Sequence, residues 1–219
     1  MAKSVRVVPA ILTDNPGTLE TLLRQSESFT DYVQIDIMDG KFVSSYSVTW
    51  KDMLSVPTKL RWEVHLMVEH PENQLEYFRK EGAQKAIFHY EATPSPKDVI
   101  SLARRLGLEV GLAINPETPV SAFLPLVEEV DSILFLSVVP GFYGSKFIPE
   151  VLDKIVEFRA TAPNKETGID GGIKENNIAR VARTGVDVIF VGSAIFLQPD
   201  PGACYRLLLS LAQRARQEG

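Results

Sequence analysis

Apolar residues fall in eight short runs, and polar stretches with helical spacing lie between them. The runs are Val5–Leu12, Asp31–Met38, Leu60–Met67, Lys85–Tyr90, Leu108–Ile114, Asp131–Val138, Lys165–Asp170 and Val186–Gly192. Most are nearly continuous in Val, Ile, Leu and Phe, as expected of parallel strands covered on both faces. The intervening stretches predict helices over Thr18–Ser28, Pro71–Glu81, Pro96–Leu106, Pro149–Arg159, Glu175–Arg183 and Pro201–Arg216. Four begin with Pro, and three stop at Gly82, Gly107 or Gly185, which is the usual asymmetry of helix ends. Val48–Leu54 predicts only a weak helix, and Pro119–Glu129 is interrupted by Pro125. Strand and helix alternate eight times, so the chain reads as an α/β protein: a single-domain (β/α)8 barrel of the TIM type over residues 1–219. An open doubly wound sheet competes, but no G-x-G-x-x-G turn follows the first strand to support it.

A barrel of this kind builds its site at the C-terminal ends of the strands. Those ends carry Gln34 and Asp36, Glu63 and His65, His89, Asn115 and Asp170. Gln34 and Asp36 share parity and hence a face, as do Glu63 and His65. A carboxylate within an apolar strand is costly unless it is paired, metal-bound or hydrated. Asp36 and Asp170 are therefore the candidate reactive groups. Asp39, in Met38-Asp39-Gly40, is the better fit to a turn acceptor. His65 is a stronger candidate ligand than His89, whereas His70 reads as a surface residue and Cys204 as a packing residue. Glycine-bearing turns follow the last three strands: Pro140-Gly141-Phe142-Tyr143-Gly144, Gly171-Gly172-Ile173 and Gly192-Ser193. Glycine admits a ligand close to the backbone, so the three together predict a phosphate seat.

Composition narrows the function. With 45% apolar and 23% charged residues, the chain has the balance of a soluble globular protein. A net charge of −5 disfavours a nucleic-acid partner but not a small anion held by backbone N–H groups. Cys204 is the single cysteine, which excludes an intrachain disulfide and fits a reducing compartment. No run reaches the roughly 18 apolar residues of a membrane span. The first residues lack the features of a secretory leader, so a cytoplasmic location without membrane attachment is expected.

At these residues the sequence resembles the ribulose-phosphate 3-epimerase family over nearly its whole length. The stretches that carry the likeness are PAILTDN, IDIMDGKFV, VHLMVEHPE, FHYEA, GLAINPETP, VPGFYGSKFIP, IDGGIKENN and VGSAIF. The resemblance implies an isomerase of carbohydrate metabolism in the pentose phosphate pathway. It would interconvert ribulose 5-phosphate and xylulose 5-phosphate, with Asp36 and Asp170 as acid and base on opposite faces of the sugar. It also implies a divalent metal (zinc, manganese, iron or magnesium) on Asp36, His65, Asp170 and the position held by Gln34. Contacts to the sugar phosphate would come from Ala10, His65, Met67, Gly141, Phe142, Tyr143, Gly144, Gly171, Gly172, Gly192 and Ser193.

Two positions depart from that pattern: Gln34 stands where the family usually has His, and Ala10 where it usually has Ser. An amide oxygen is a poorer zinc ligand than imidazole. A paralogue acting on another ketose phosphate, such as a hexulose 6-phosphate, and a weakened sugar-phosphate binder are the alternatives. A decarboxylase or aldolase on the same barrel is disfavoured, because Met38 replaces the lysine of an Asp-x-Lys pair. The sequence leaves a homo-oligomer open.

Overall fold

A computed structural model describes residues 4–141 and 145–218. Its eight parallel strands are β1 (Arg6–Ile11), β2 (Tyr32–Met38), β3 (Arg61–Met67), β4 (Lys85–His89), β5 (Glu109–Ile114), β6 (Ser132–Leu136), β7 (Glu166–Asp170) and β8 (Val188–Val191). They close in chain order, β8 returning to pair with β1, so no strand edge is left open. The fold is a TIM barrel, as the alternation predicts.

The helices are α1 (Pro16–Ser26), α2 (Trp50–Met53), α3 (Leu75–Lys80), α4 (Pro96–Arg105), α5 (Val120–Phe123), α6 (Val151–Thr161), α7 (Glu175–Arg183), α8 (Ser193–Phe196) and α9 (Pro201–Gln217). Local chemistry sets their starts. Asn15 Oδ1 accepts from the Thr18 N–H at 2.9 Å ahead of Pro16, and Asp200 accepts from Ala203 N–H at 2.8 Å ahead of Pro201. The expected helix over Pro71–Glu81 is split: a 3-10 turn at Pro71–Asn73 precedes α3. The Pro125 segment is also divided, α5 giving way to a 3-10 stretch over Leu124–Glu129. The short helix α8, directly after β8, is absent from the sequence reading.

Strand side chains alternate between two buried layers. One set, including Val33, Ile35, Val64, Leu66, Leu112 and Phe135, meets the helices and forms the main core. The other set points into the barrel. There Val8, Ala10, Ile87, Ala113, Leu134, Leu136, Val188 and Phe190 form a smaller apolar cluster. On β2 and β3 the inward positions are polar instead, with Gln34 level with Glu63 and Asp36 level with His65.

Candidate active site

Asp36 and His65 lie side by side because β2 and β3 run in register, and Asp170 is the last residue of β7. In the ring, β2 and β7 are separated by β1 and β8, so the two carboxylates approach the axis from different sides. They meet at one atom: Gln34 Nε2 donates to Asp36 Oδ1 at 2.8 Å and to Asp170 Oδ2 at 2.8 Å. His65 Nδ1 sits 3.0 Å from Asp36 Oδ1 and 3.7 Å from Asp170 Oδ2. All four side chains are buried or nearly so.

Burial dominates the electrostatics. It pushes the Asp36 carboxyl up to about 7, with the Gln34 hydrogen bond pulling only partly back. Asp170 is raised to about 7 by burial and then by the charge of Asp36, against the opposing pull of His65, Gln34 and the Gly171 N–H. Two carboxylates this close cannot both ionise cheaply, so near neutral pH the pair holds one proton between them. Burial lowers His65 to about 4, against the attraction of Asp170, and the ring is neutral.

The donor set also fits a divalent ion. One ligand atom from each of Asp36, His65 and Asp170 lies within 4.8 Å of the others. One imidazole nitrogen and two carboxylate oxygens suit ions between zinc and manganese in hardness. Gln34 does not face this group with its oxygen, as the sequence reading expects. Its nitrogen does, and Oε1 is buried without a hydrogen-bond partner. Two carboxylates attract the donor end of an amide. Rotation of that amide would bring the oxygen to an ion.

A small cavity opens above the carboxylates. Its lining includes Ala10, Asp36, His65, Met67, Gly141, Asp170, Gly171, Gly172, Gly192 and Ser193, all expected from the sequence. Met38, Leu136, Val138, Ser145 and Ile173 line it as well and are additions. Phe142, Tyr143 and Gly144 lie outside the described residues. Gly171 and Gly172 both have positive φ, 110° and 66°, and an added Cβ on Gly171 would meet Val138 at 2.5 Å. At Gly192 a Cβ would stand 2.9 Å from the Ala10 carbonyl oxygen, which explains the glycine by packing on β1. Ser137 secures the β7 turn, its hydroxyl donating to the carbonyls of Asp170 and Gly171 at 3.0 and 2.7 Å.

Behind His65 stands His89, completely buried, with Nε2 3.0 Å from His65 Nε2. Glu91 follows it, 3.6 Å from His89 Nδ1. His70 is exposed, and Asp39 accepts from the backbone of Lys41, Phe42 and Glu69, as a turn acceptor does. Cys204 is half-buried and packs on the core.

The opposite mouth of the barrel encloses a larger cavity, about 430 Å³, lined by Arg6, Tyr32, Glu63, Lys85 and Glu166 among others. There Arg6, Glu63, Lys85 and Glu166 pair with one another, whereas the two aspartates of the smaller cavity have no Lys or Arg partner among the described residues, so the reactive geometry is at the smaller one. Among the described residues no helix is long and apolar enough to cross a membrane.

Comparison with known proteins agrees with this geometry. Residues 6–196 match the model of the ribulose-phosphate 3 epimerase family. Ribulose-phosphate 3-epimerase 2 of Cupriavidus necator is 34% identical, the alignment covering 97% of this chain and 93% of that protein. The ribulose-phosphate 3-epimerase of Synechocystis sp. is 35% identical over 91% of each chain. Among solved structures, 3-hexulose-6-phosphate synthase from Salmonella typhimurium superposes with a TM-score of 0.74, covering 96% of this chain and all of that one. Its 15% identity shows a shared barrel and no more. With its barrel, its paired carboxylates and relatives aligned along most of its length, the chain belongs to the ribulose-phosphate 3-epimerase family and is an isomerase of the epimerase type.

Proposed function

We propose that the chain interconverts D-ribulose 5-phosphate and D-xylulose 5-phosphate by inversion at C3, with Asp36 and Asp170 as the acid/base pair. The observation that carries this is the meeting of two buried carboxylates from β2 and β7 at one amide nitrogen, each raised to about 7. The ionised member takes the C3 proton, and the electron pair moves into the C2–C3 bond as C2–O becomes the oxyanion of an enediolate. The protonated member then delivers its proton to C3 from the other side. After one turnover the two have exchanged roles, which suits a reversible reaction between near-equal sugars.

Asp36, His65 and Asp170 would hold a divalent ion (zinc, manganese, iron or magnesium), which supplies positive charge to the enediolate oxygens when bound. Gln34 keeps the two carboxylates together, and its amide can present either end to them. The sugar's phosphate sits against the Gly171-Gly172 and Gly192-Ser193 backbone, close to the carboxylates in the same cavity. Met67 and Gly141 contact the sugar, and Ala10 offers it a methyl where the family usually has a hydroxyl. The partner is thus a small phosphorylated sugar of the pentose phosphate pathway, and the reading places the enzyme in the cytoplasm.

A second reading, a weakened family member or one acting on a different ketose phosphate, is favoured by Gln34 and Ala10 at the reaction end. A coupled assay with purified ribulose 5-phosphate, run beside hexulose 6-phosphates, separates the two. Turnover of ribulose 5-phosphate at ordinary enzyme rates supports the first reading. Binding of the sugar without turnover, or preference for a hexulose, supports the second.

A further inference from the structure

We infer that Glu91, acting through His89, sets which nitrogen of His65 carries the proton and thereby positions His65 as a metal ligand. The inference rests on the metal-assisted reading given above and extends it beyond the ligand atoms. The groups form a line from the site to the loop after β4. Asp36 Oδ1 is 3.0 Å from His65 Nδ1, His65 Nε2 is 3.0 Å from His89 Nε2, and His89 Nδ1 is 3.6 Å from Glu91 Oε2. The imidazoles lie nearly parallel, 20° apart, and Phe42 packs on the outer one with ring centroids 4.8 Å apart.

Two neutral imidazoles hold two N–H groups, and the line has three gaps to fill. If both N–H groups point toward Asp36, then His65 donates from Nδ1 and His89 from Nε2. His89 Nδ1 is then bare and faces a carboxylate oxygen, acceptor against acceptor. The heavy-atom positions fit this arrangement and its reverse alike: His89 Nδ1 and Glu91 Oε2 face each other at 3.6 Å, both buried. If both point toward Glu91, then His89 donates from Nδ1 and His65 donates from Nε2. The bare atom is then His65 Nδ1, whose lone pair faces Asp36 and Asp170. Only this second arrangement makes His65 a ligand. Both contain the same number of protons, so passing from one to the other needs no net gain or loss.

Glu91 is built for the receiving end. Its Oε1 is held by the Asn115 N–H at 3.0 Å and by the Thr118 hydroxyl, which fixes the carboxylate and leaves Oε2 as its remaining acceptor. A cation at Nδ1 excludes a proton there, and the line then ends on a charged acceptor. Glu91 and His89 are positioning residues, since neither lines the cavity above the two aspartates.

Replacing Glu91 by Gln keeps the size and the bonds to Asn115 and Thr118 but presents an NH2 group to His89 Nδ1. That reverses the line and protonates His65 at Nδ1. The experiment titrates Co²⁺ into metal-stripped protein, followed by visible absorbance and calorimetry, for wild type, Glu91→Gln, His89→Gln and the double variant. Histidine ring 15N shifts of the loaded proteins and thermal melts of the stripped ones accompany it. Glu91→Gln is expected to weaken Co²⁺ binding about 10- to 100-fold, the usual effect of removing a ligand's hydrogen-bond partner. Its melting temperature should be nearly unchanged. In the loaded wild type, His65 should be protonated at Nε2 and His89 at Nδ1. In the His89→Gln background, Glu91→Gln should cost little more, because the line is already cut. Equal affinity in wild type and Glu91→Gln, or an undiminished penalty in the His89→Gln background, overturns the inference. So does absence of Co²⁺ binding by the wild type, whatever the epimerase assay shows. Co²⁺ binding that responds as expected, without turnover of ribulose 5-phosphate, supports the relay and counts against the epimerase reading alone.

Discussion

The two mouths of this barrel both bury charge, and they treat it in opposite ways. At the N-terminal mouth Glu63 faces Lys85 at 3.7 Å and accepts from the Tyr32 hydroxyl at 3.1 Å, while Lys85 reaches Glu166 at 3.2 Å and Arg6 closes on Glu166 at 2.6 Å. Burial raises Glu63, and Lys85 offsets only part of that rise. At the C-terminal mouth, among the described residues, Asp36 and Asp170 find an amide and a neutral imidazole but no Lys or Arg. A fixed cation turns a buried carboxylate into structure. Without one, the carboxylate's affinity for a proton or an ion stays high, and that affinity is available for chemistry.

The comparison breaks most severely at the paired end. Lys85→Met leaves Glu63 buried without its nearest cation, and loss of one partner of such a pair costs about 3–5 kcal/mol. Chemical denaturation should show a loss of that order, with kcat of the folded protein little changed. The double variant Glu63→Leu with Lys85→Met should recover most of the stability. A Lys85→Met protein as stable as wild type would mean that the lower network contributes nothing.

At the unpaired end, the expected effect concerns the ion. The purified protein should hold substoichiometric zinc, and Gln34→His should raise zinc affinity by about 10-fold or more and turnover with it, because it adds a neutral nitrogen ligand. Restoring Ser at Ala10 should help turnover without changing metal content. Elemental analysis beside the coupled assay reads both, and one tight zinc in the unaltered protein would show Gln34 to be an adequate neighbour.

The smallest effect tests the phosphate seat. Gly192→Val is a poor probe, since any Cβ there meets the Ala10 carbonyl. Ser193→Asp keeps the backbone and places a negative charge beside the seat, worth about 1–2 kcal/mol of repulsion in a partly wet site, hence roughly 10-fold in affinity. Lys174→Ala, an exposed side chain, should change affinity less. Calorimetry with the sugar phosphate giving the reverse order would move the phosphate toward Lys174.

Much of this was legible in the residues because the strands are buried on both faces. Val186–Gly192 and Leu108–Ile114 read as strands for that reason, and both are strands. Helix α8 escaped notice because four residues are too few to show a period. The Pro71–Glu81 stretch looked like one helix, but it enters through His70 in the left-handed region and begins with a 3-10 turn. Asp36, His65 and Asp170 stood out as polar residues in apolar strands. Parity alone put Glu63 with them, yet it lies two residues earlier on β3, about 6.6 Å deeper, and belongs to the other mouth. The sequence marks Gln34 only as an oxygen donor to metal, because its second carboxylate partner, Asp170, comes from β7, 136 residues away. Glu91 gave no local signal, because its partners Asn115 and Thr118 come from the next loop of the ring.

The central claim is that Asp36 and Asp170 are the two ends of a proton transfer across C3. Wash-in of solvent deuterium at C3 of ribulose 5-phosphate, followed by proton NMR, tests it most directly in the wild type and in Asp36→Asn and Asp170→Asn. The wild type should exchange C3 hydrogen and form xylulose 5-phosphate, and each variant should lose at least about 10²-fold in epimerisation, the usual worth of a positioned acid or base. Undiminished exchange and epimerisation in either variant would contradict the assignment.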